Sequence, residues 1–245
     1  MPILEGKGVT KYFGGLAAVL NVDFTVEQGE ALGLIGPNGA GKTTLFDLIS
    51  AALVPKSGTI GFKGQNITGL SPCKICRMGV ARTFQMVKVF ADMPVLNNVV
   101  LGSYFGMSPG MSSADAVREA TELLEFVGLS AMSMTPAKDL TLANQKRLEV
   151  ARALATNPEL LLLDEMMAGL NPVELAQAME LVTRIRDKGI TIIMIEHVMK
   201  AIMNVCERIM VLHHGEKIAE GTPQEIATSK TVIKVYLGEK AHAAS

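Results

Sequence analysis

Residues 36–44 read GPNGAGKTT, and this stretch decides the fold. It fits the pattern G-x-x-x-x-G-K-[S/T], whose backbone N–H groups converge on phosphate oxygens. An apolar run, EALGLIG (residues 30–36), precedes it, and KTTLFDLISAAL (residues 42–53), with apolar residues at helical spacing, follows it. A strand before the loop and a helix after it distinguish the motif from an ordinary glycine turn. We therefore predict a phosphate-binding loop here.

Two side chains of this loop have roles of their own. Lys42 is expected to place a positive charge near the terminal phosphates, and the Thr43 hydroxyl can ligate Mg²⁺. The backbone of the whole loop is expected to surround the phosphates. The expected nucleotide-binding residues are therefore Gly36, Pro37, Asn38, Gly39, Ala40, Gly41, Lys42, Thr43 and Thr44.

Length, charge and hydropathy limit the class of protein. At 245 residues and 49% hydrophobic residues, the chain can bury a substantial core in one or two domains. It has no apolar run of the roughly 18 residues that a membrane span needs. A formal net charge of -1, without runs of like charge, argues against nucleic acid as a partner and against direct lipid insertion. The start, MPILEGKGVTKY, lacks the order of a secretory signal, so we expect a soluble, cytoplasmic chain.

Strand and helix patterns alternate along the rest of the chain. LLLLDE and ITIIMIEH are too apolar to face water on either side, which is typical of parallel strands covered on both faces. Helices are expected from Ser112, with Asp115 at capping-box spacing, over residues 145–156, and from Asn171. RIMVLHHGEKIAEGTP predicts a hairpin before a short helical tail. Residues 87–156 carry few strand signals, so we expect a mostly helical insertion there.

Two adjacent carboxylates follow the first of these apolar strands. Asp164, at the strand end, can hold Mg²⁺ through water. Glu165 is expected to act as a general base that orients and polarises the water attacking a γ-phosphate. An ionised pair is costly to bury without a counter-charge, and a metal nucleotide provides one. The alternative for Glu165 is a solvated acid in a loop.

His197 and Gln85 are weaker candidates on their chemistry alone. His197 follows TIIMIE at the tip of a neighbouring strand, and ligands in open parallel sheets lie beyond the carboxyl ends of the strands. A lone histidine at a strand end is more often structural. Gln85, in ARTFQ, has no chemical signature of its own.

The cysteines are few. Cys73, Cys76 and Cys206 cannot form a closed disulfide framework, which suits a reducing compartment. Cys73 and Cys76 form a CxxC, but all four histidines lie far downstream and no second cysteine pair completes a zinc site. We expect two small buried residues one helical turn apart, with metal or redox chemistry as the alternative.

Nearly the whole chain resembles the ATP-binding subunits of ABC transporters. GPNGAGKTT is similar to their Walker A loop, LLLLDE to Walker B with its catalytic glutamate, and IEH to the motif of the switch histidine. Gln85 falls where the family has its Q-loop glutamine. KYFGG resembles the loop whose aromatic residue stacks on adenine, with Phe13 as the first candidate and Tyr12 as the second.

This resemblance implies an ATPase with ATP and Mg²⁺ as cofactors. The implied catalytic residues are Glu165, His197 and Gln85, and the implied metal ligands are Thr43, Gln85 and Asp164, partly through water. It also implies an α/β fold with a P-loop NTPase (RecA-like) core, a mostly parallel sheet, an antiparallel β segment and a helical insertion. We expect one ABC ATPase domain over residues 1–245, with a nucleotide-binding lobe (1–86 and 157–245) and the insertion (87–156).

The finer resemblance is to the subunits that power importers of branched-chain amino acids and of related amides and urea. FGGLAAV, ARTFQ, LNNVVLGS, IEHVMKAIM and VIKVYLGE carry it. Those systems pair two different ATPase subunits with two membrane permease subunits and a periplasmic solute-binding protein. The resemblance therefore implies a heterodimer at the cytoplasmic side of the inner membrane, bound there peripherally. The alternatives are a lipopolysaccharide-export ATPase and a nucleotide-binding regulatory protein with little hydrolysis.

The signature loop departs from the family pattern. Where the family has LSGGQ, this chain has Leu140, Thr141, Leu142, Ala143 and Asn144, so both glycines are gone. In an ABC dimer that loop offers backbone N–H groups to the γ-phosphate bound by the other subunit, and a Cβ hinders so close an approach. Thr141, Leu142, Ala143 and Asn144 are thus expected to act in trans. The defect weakens the partner's site and leaves this chain's own phosphate loop complete.

A further segment points to a membrane partner. Residues 87–102, VKVFADMPVLNNVVLG, carry apolar residues directly after Gln85. We expect them to form a groove that receives a cytoplasmic helix of the membrane subunit. The alternative is plain core packing of the helical insertion.

Overall fold

The computed structural model describes residues 2–106 and 112–242. Over these residues the strands are β1 (Pro2–Phe13), β2 (Leu16–Glu27), β3 (Ala31–Ile35), β4 (Ser57–Phe62), β5 (Gln65–Asn66), β6 (Val80–Arg82), β7 (Leu160–Asp164), β8 (Thr191–Ile195), β9 (Arg208–His213) and β10 (Glu216–Gly221). The α-helices are α1 (Lys42–Ile49), α2 (Pro72–Arg77), α3 (Val95–Gly106), α4 (Ser113–Val127), α5 (Leu142–Leu154), α6 (Pro172–Asp187), α7 (Met199–Val205), α8 (Pro223–Thr228) and α9 (Lys230–His242). None of the helices in this part of the chain has the length and apolar character that crossing a bilayer requires.

The central sheet has the strand order β10-β9-β3-β8-β7-β6. Neighbouring strands from β9 to β6 are parallel, and only the β9–β10 hairpin is antiparallel. A second sheet, β2-β1-β4-β5, is antiparallel throughout. The expected α/β fold with a mostly parallel sheet, an antiparallel segment and a helical region is therefore confirmed.

The central strands are buried on both faces, as their continuous apolar sequences predict. Every residue of β3, β7 and β8 is buried. Alternate residues of β7 join different cores: Leu160 and Leu162 face the antiparallel sheet and α1, whereas Leu161 and Leu163 pack with the other helices. Two apolar layers thus hold the carboxyl ends of these strands in fixed register.

The two strands at the amino end of the chain were not assigned from the sequence. β1 and β2 form a hairpin whose pairing shifts register at several points, so the apolar alternation is broken along both strands. The hairpin turns at Gly14 and Gly15, and the backbone N–H of Leu20 donates to the Gly215 carbonyl at 2.8 Å. This contact brings the hairpin against the central sheet, beside the phosphate-binding loop.

Residues 87–156 hold α3, α4 and α5 in their described part, and no β-strand of the two sheets. Helix α4 begins with the expected capping box, in which the Ser112 Oγ accepts from the Asp115 N–H at 3.1 Å. The helix expected over residues 145–156 begins three residues earlier, at Leu142 of α5. It begins there because the Thr141 side chain serves as its N-cap. The division into a lobe (1–86 and 157–245) and an insertion (87–156) stays a prediction, and residues 107–111 lie outside the described residues.

The expectation of two buried cysteines was wrong. Cys73 is exposed and Cys76 is half-buried, because α2 is a short helix on the surface with only Ile75 facing the core. Burial raises the pKa of the Cys76 thiol. Among the described residues, no group of three or more histidines, cysteines and carboxylates has the geometry of a metal site.

Candidate functional site

The carboxyl ends of three parallel strands meet at one edge of the central sheet. Asp164, the last residue of β7, pairs with Ile195 at the end of β8, and Ile195 also pairs with Leu34 of β3. The segments that leave these strands are the GPNGAGKTT loop after β3, Glu165 after β7 and Glu196–His197 after β8. Parallel pairing therefore brings together residues that are up to 161 positions apart in the sequence (36 to 197).

The phosphate-binding loop wraps around its own lysine. Lys42 is buried, and its Nζ donates to the carbonyls of Gly36 and Pro37 at 2.7 and 2.8 Å. Gly41 precedes α1 with φ 100°, and a Cβ there would lie 2.2 Å from the Ala18 carbonyl oxygen. The glycine thus lets the loop pass directly against β2. The first N–H groups of an α-helix have no carbonyl partner within the helix, so those of α1 can bind a phosphate.

The other residues of the loop that are predicted to bind the phosphates differ in their exposure to solvent. Asn38, Gly39 and Thr43 are exposed, whereas Pro37 and Ala40 are buried. The Ala40 N–H donates to the Pro37 carbonyl at 3.2 Å, which closes a turn in the loop. Thr44 lies in the first turn of α1, next to Thr43.

Phe13 ends β1 and is half-exposed, with the Lys11 Nζ 5.8 Å from its ring centroid. Its hairpin lies against the phosphate-binding loop through the contact of Ala18 with Gly41. An exposed aromatic face at this place can stack on a flat ring. Tyr12, the second candidate, is also exposed.

Three predicted catalytic residues are in direct contact. The Glu165 carboxylate accepts from the Gln85 Nε2 at 3.0 Å through one oxygen and lies 2.7 Å from the His197 Nε2 through the other. The histidine donates in this contact when Nε2 carries the hydrogen. The carboxylate is thus fixed at both oxygens while Gln85 and His197 remain exposed to solvent.

Asp164 is paired with an arginine that sequence reasoning missed. Arg82 NH2 donates to the Asp164 Oδ2 at 3.0 Å, and Arg82 NH1 bonds to Asp47 of α1. Burial raises the pKa of Asp164, and the guanidinium of Arg82 opposes that rise. The other oxygen, Oδ1, is buried and has no hydrogen-bond partner among the described residues. A buried carboxylate oxygen without a partner is the kind of atom that a bound cation, or its water, satisfies.

The backbone at Glu165 is unusual. Its φ is 50°, in the left-handed region that side chains other than glycine occupy at a cost of about 1–2 kcal/mol. Two buried charged residues, also missed from the sequence, contact the loop that follows. Lys146 of α5 donates to the carbonyls of Glu165 and Ala168, and Glu196 accepts from the Met167 N–H at 2.7 Å. The sequence carries only a weak indication of a role for these two residues, since each is a charged residue beside an apolar run.

The signature residues lie in the first turn of α5. The Thr141 Oγ1 accepts from the Asn144 N–H at 3.4 Å, and Ala143 is buried. Leu142 is 47% exposed, and its Cδ2 lies 3.4 Å from where a Cβ on Gly169 would be. A branched side chain therefore stands at the place where the family pattern has a glycine.

Comparison with known families identifies the family of the chain. A family model described as ABC transporter matches residues 19–168, and a second, described as branched-chain amino acid ATP-binding cassette transporter, matches residues 216–242. The chain belongs to the ABC transporter family. The cassette is 40% identical to the high-affinity branched-chain amino acid transport ATP-binding protein LivG of Escherichia coli K12, over 97% of this chain and 98% of that protein. It is 39% identical to BraF of Pseudomonas aeruginosa PAO1, a protein of the same description, over the same shares.

Solved structures agree. A nucleotide-free ATP-binding cassette from an ABC transporter superposes with a TM-score of 0.87 at 31% identity, covering 96% of this chain and 99% of that one. An ABC transporter cassette in its ADP conformation superposes equally well, with a TM-score of 0.87 at 31% identity, over 97% and 99% of the two chains. The resemblance to this family is therefore confirmed, and the cassette is a nucleotide-binding ATPase.

Glu196 should make the stability of the cassette fall as the pH rises. Burial raises its pKa from 4.5 to about 7, so the folded state holds this proton more tightly than the unfolded state. The stabilisation is complete below pH 4.5 and is lost as the pH rises through 7. At 1.36 kcal/mol per pH unit, the loss amounts to about 3 kcal/mol. The glutamine in Glu196→Gln cannot titrate. The free energy of unfolding of this variant, relative to that of the wild type, should therefore increase by up to this amount between about pH 4.5 and 8.

Urea denaturation at a series of pH values measures this difference. Glu180→Gln, which removes an exposed carboxylate on α6, is the control and should run parallel to the wild type. Parallel curves for Glu196→Gln as well would show that Glu196 titrates as an exposed carboxylate does.

Proposed function

We propose that this chain is the ATP-hydrolysing subunit that energises the import of branched-chain amino acids or related amides across the membrane. One observation carries the hydrolytic part: the Glu165 carboxylate is held between Gln85 and His197 at the strand edge that bears the phosphate-binding loop. The solute class rests on the relatives named above, which are branched-chain amino acid transport proteins. The geometry opposes a regulatory protein with little hydrolysis, because such a protein needs no fixed base.

In this proposal each residue acts on a bound ATP. The phosphate-binding loop and the N-terminus of α1 neutralise the phosphates through backbone N–H groups, and Lys42 exchanges its loop carbonyls for the terminal phosphates. Glu165 accepts a proton from the attacking water and orients it towards the γ-phosphate. His197 and Gln85 hold the carboxylate and adjoin the same phosphate. Phe13 stacks on the adenine ring.

A divalent cation fits the acidic side of this site. One aspartate and one hydroxyl are too few to make a cage of protein ligands, which suits Mg²⁺, since that ion keeps several waters and binds through substrate phosphates. Thr43, Gln85 and Asp164 would hold it, partly through water, with the unpartnered Asp164 Oδ1 as the acidic ligand. Bound there, Mg²⁺ would neutralise charge on the β- and γ-phosphates.

Two substitutions separate nucleotide binding from hydrolysis. Lys42→Ala should weaken Mg-ATP binding at least tenfold, because it removes the buried positive charge from the loop. Glu165→Gln should keep the affinity within about twofold but lower the hydrolysis rate of the assembled complex by about 10²–10⁴-fold, because it removes the base and leaves the loop intact. Calorimetric titration and phosphate release measure the two quantities.

Glu180→Gln serves as the control, because it removes an exposed carboxylate from α6 and should change neither quantity. Unchanged affinity in Lys42→Ala would refute the phosphate-binding loop. Hydrolysis at the wild-type rate in Glu165→Gln would refute the assignment of the base.

We further propose that the working dimer is asymmetric. Each composite site takes a phosphate-binding loop from one subunit and a signature from the other. Leu142 blocks the close approach of the α5 N-terminus to a γ-phosphate, since its side chain stands exposed where a glycine would leave space. A homodimer would therefore carry two poor signatures. A different ATPase subunit with an intact signature would complete the site on this chain.

Restoring the glycines should activate the chain without a partner. Loss of a γ-phosphate donor costs about 3 kcal/mol of transition-state stabilisation, roughly a hundredfold in rate. The wild-type chain alone should hydrolyse ATP slowly, and the double change Leu142→Gly and Ala143→Gly should raise its rate by up to that factor. Adding Glu165→Gln to the double change should abolish the gain. A wild-type homodimer as fast as the heteromeric complex would contradict the proposal.

The surface of this chain has a groove in which the proposed membrane partner can bind. A cavity of about 780 Å³ lies beside the Q-loop, and Val89, Phe90, Leu101 and Gly102 of the predicted segment line it. Phe84, Phe90 and Phe105 expose much of their rings at this groove. An apolar helix face of a permease subunit fits such a groove, which would place the cassette peripherally at the cytoplasmic side of the inner membrane.

One wall of the groove is fixed by a buried amide. Asn98 is fully buried; its Oδ1 accepts from the Phe90 N–H at 2.9 Å, and its Nδ2 donates to the carbonyls of Phe90, Met93 and Pro94 at 3.1–3.2 Å. Both polar atoms of the side chain are thus bonded to backbone groups of the segment that follows the Q-loop. The groove is thus formed before any partner binds.

A charge in the groove should prevent assembly. Phe105→Asp places a carboxylate on the apolar lining, which should lower co-purification with the membrane subunits at least tenfold and leave Mg-ATP binding by the isolated chain unchanged. Val117→Asp is the control, because Val117 is a comparably exposed apolar residue of α4 that lies outside the groove. Equal assembly of both variants would refute the groove as the docking site.

A further inference from the structure

The loop after Walker B is fastened by two side chains that come from outside it. The Lys146 Nζ donates to the Glu165 carbonyl at 3.0 Å and to the Ala168 carbonyl at 2.6 Å. Glu196 Oε1 accepts from the Met167 N–H at 2.7 Å. Three of the four residues from Glu165 to Ala168 are therefore held through their backbone.

We propose that Lys146 and Glu196 are positioning residues for Glu165. Together they form a clamp, the Lys146–Glu196 clamp, that keeps the catalytic carboxylate in place between Gln85 and His197. This inference rests on the proposed role of Glu165 as the base, and it assigns Lys146 and Glu196 no contact with the nucleotide.

The need for a clamp follows from the backbone. Glu165 lies in the left-handed region, where the direction of its side chain depends on a conformation that the residue does not favour by itself. The turn's own hydrogen bond, from the Ala168 N–H to the Glu165 carbonyl, is long at 3.3 Å. Lys146 contacts the carbonyls at both ends of this turn. Its ammonium thus closes the turn more firmly than the backbone does.

The charges argue for position rather than for stability. Lys146 is 6% exposed and Glu196 is 2% exposed. Burial lowers the pKa of Lys146 and raises the pKa of Glu196. Buried charged side chains commonly stabilise a core no better than apolar side chains of similar volume do. Unlike apolar side chains, Lys146 and Glu196 make directed hydrogen bonds to the loop carbonyls and to the Met167 N–H. We therefore attribute the burial of these two side chains to their effect on the geometry of the loop from Glu165 to Ala168.

The clamp also joins the base to two other functional segments. Lys146 belongs to α5, whose first turn carries the signature residues that the proposed dimer places at the partner's nucleotide. Glu196 directly precedes His197. A displacement of α5 consequently moves the carbonyls that set the backbone of Glu165, so the signature of this chain and its own base move together.

The test uses Lys146→Met, which keeps the length of the side chain and removes its donors, in the full chain assembled with its partner ATPase subunit. The control is Arg147→Met on the same helix, whose guanidinium donates to Gln177 of α6. Lys146→Met should lower the hydrolysis rate at least tenfold while the affinity for Mg-ATP changes by less than twofold. Amide hydrogen exchange at residues 165–168 should accelerate at least tenfold. Arg147→Met should alter none of these quantities.

Glu196 supplies an independent comparison. Glu196→Gln keeps an oxygen acceptor for the Met167 N–H and should retain slow exchange at that amide, whereas Glu196→Leu should lose it together with the hydrolysis rate. Wild-type rate and wild-type exchange in both Lys146→Met and Glu196→Leu would overturn the clamp.

A measurement on the wild type keeps the test decisive if these variants do not fold. The Met167 amide should then exchange as slowly as the amides of β7, and exchange at the rate of an open loop would overturn the clamp. A wild-type complex that binds ATP without hydrolysing it would refute the proposed function instead, while the exchange data would still decide on the clamp.

Discussion

The parallel pairing of β7 with β8 is the constraint on which the site depends. Both strands are buried on both faces, so a slip by one residue would exchange their side chains between two closely packed cores and would move Asp164 away from the strand end. Their register sets Asp164 opposite Ile195, and the chain then turns at Glu165 and at Glu196 on the same edge. The hydrophobic cores therefore determine where the carboxylates lie, although no apolar residue takes part in the chemistry.

Charged residues at this edge are stabilised by direct bonds to other groups of the protein. Arg82 joins Asp164 to Asp47 of α1, and Lys146 joins the loop after Glu165 to α5. The first network connects the acidic strand end with the helix that leaves the phosphate-binding loop. The second connects Glu165, the proposed base, with α5. Each positive side chain thus couples the central sheet to a different element around it, which is how an apolar scaffold keeps a polar site ordered.

What could be predicted from the sequence was what is encoded locally. The phosphate-binding loop, the apolar strands and the capping box at Ser112 each depend on neighbours in the chain, so their patterns sufficed. Arg82, Lys146 and Glu196 act through partners 19 to 82 residues away (146 to 165, 82 to 164), and nothing near them in the sequence marks those partners. The β1–β2 hairpin escaped assignment because its register shifts break the period of two. Cys73 was misplaced for a related reason, since a short surface helix buries a single residue and cannot protect both cysteines.

The amide of Asn98 has a consequence for the proposed docking of a permease helix. Its hydrogen bonds fix the backbone of the groove wall, so little backbone entropy would be lost there when a helix enters. A rigid backbone of this kind would favour a helix that matches its contour over one with a misplaced bulky residue. In the proposed role, such rigidity would keep each ATPase with its own transporter in a cell that makes many cassettes of the same fold.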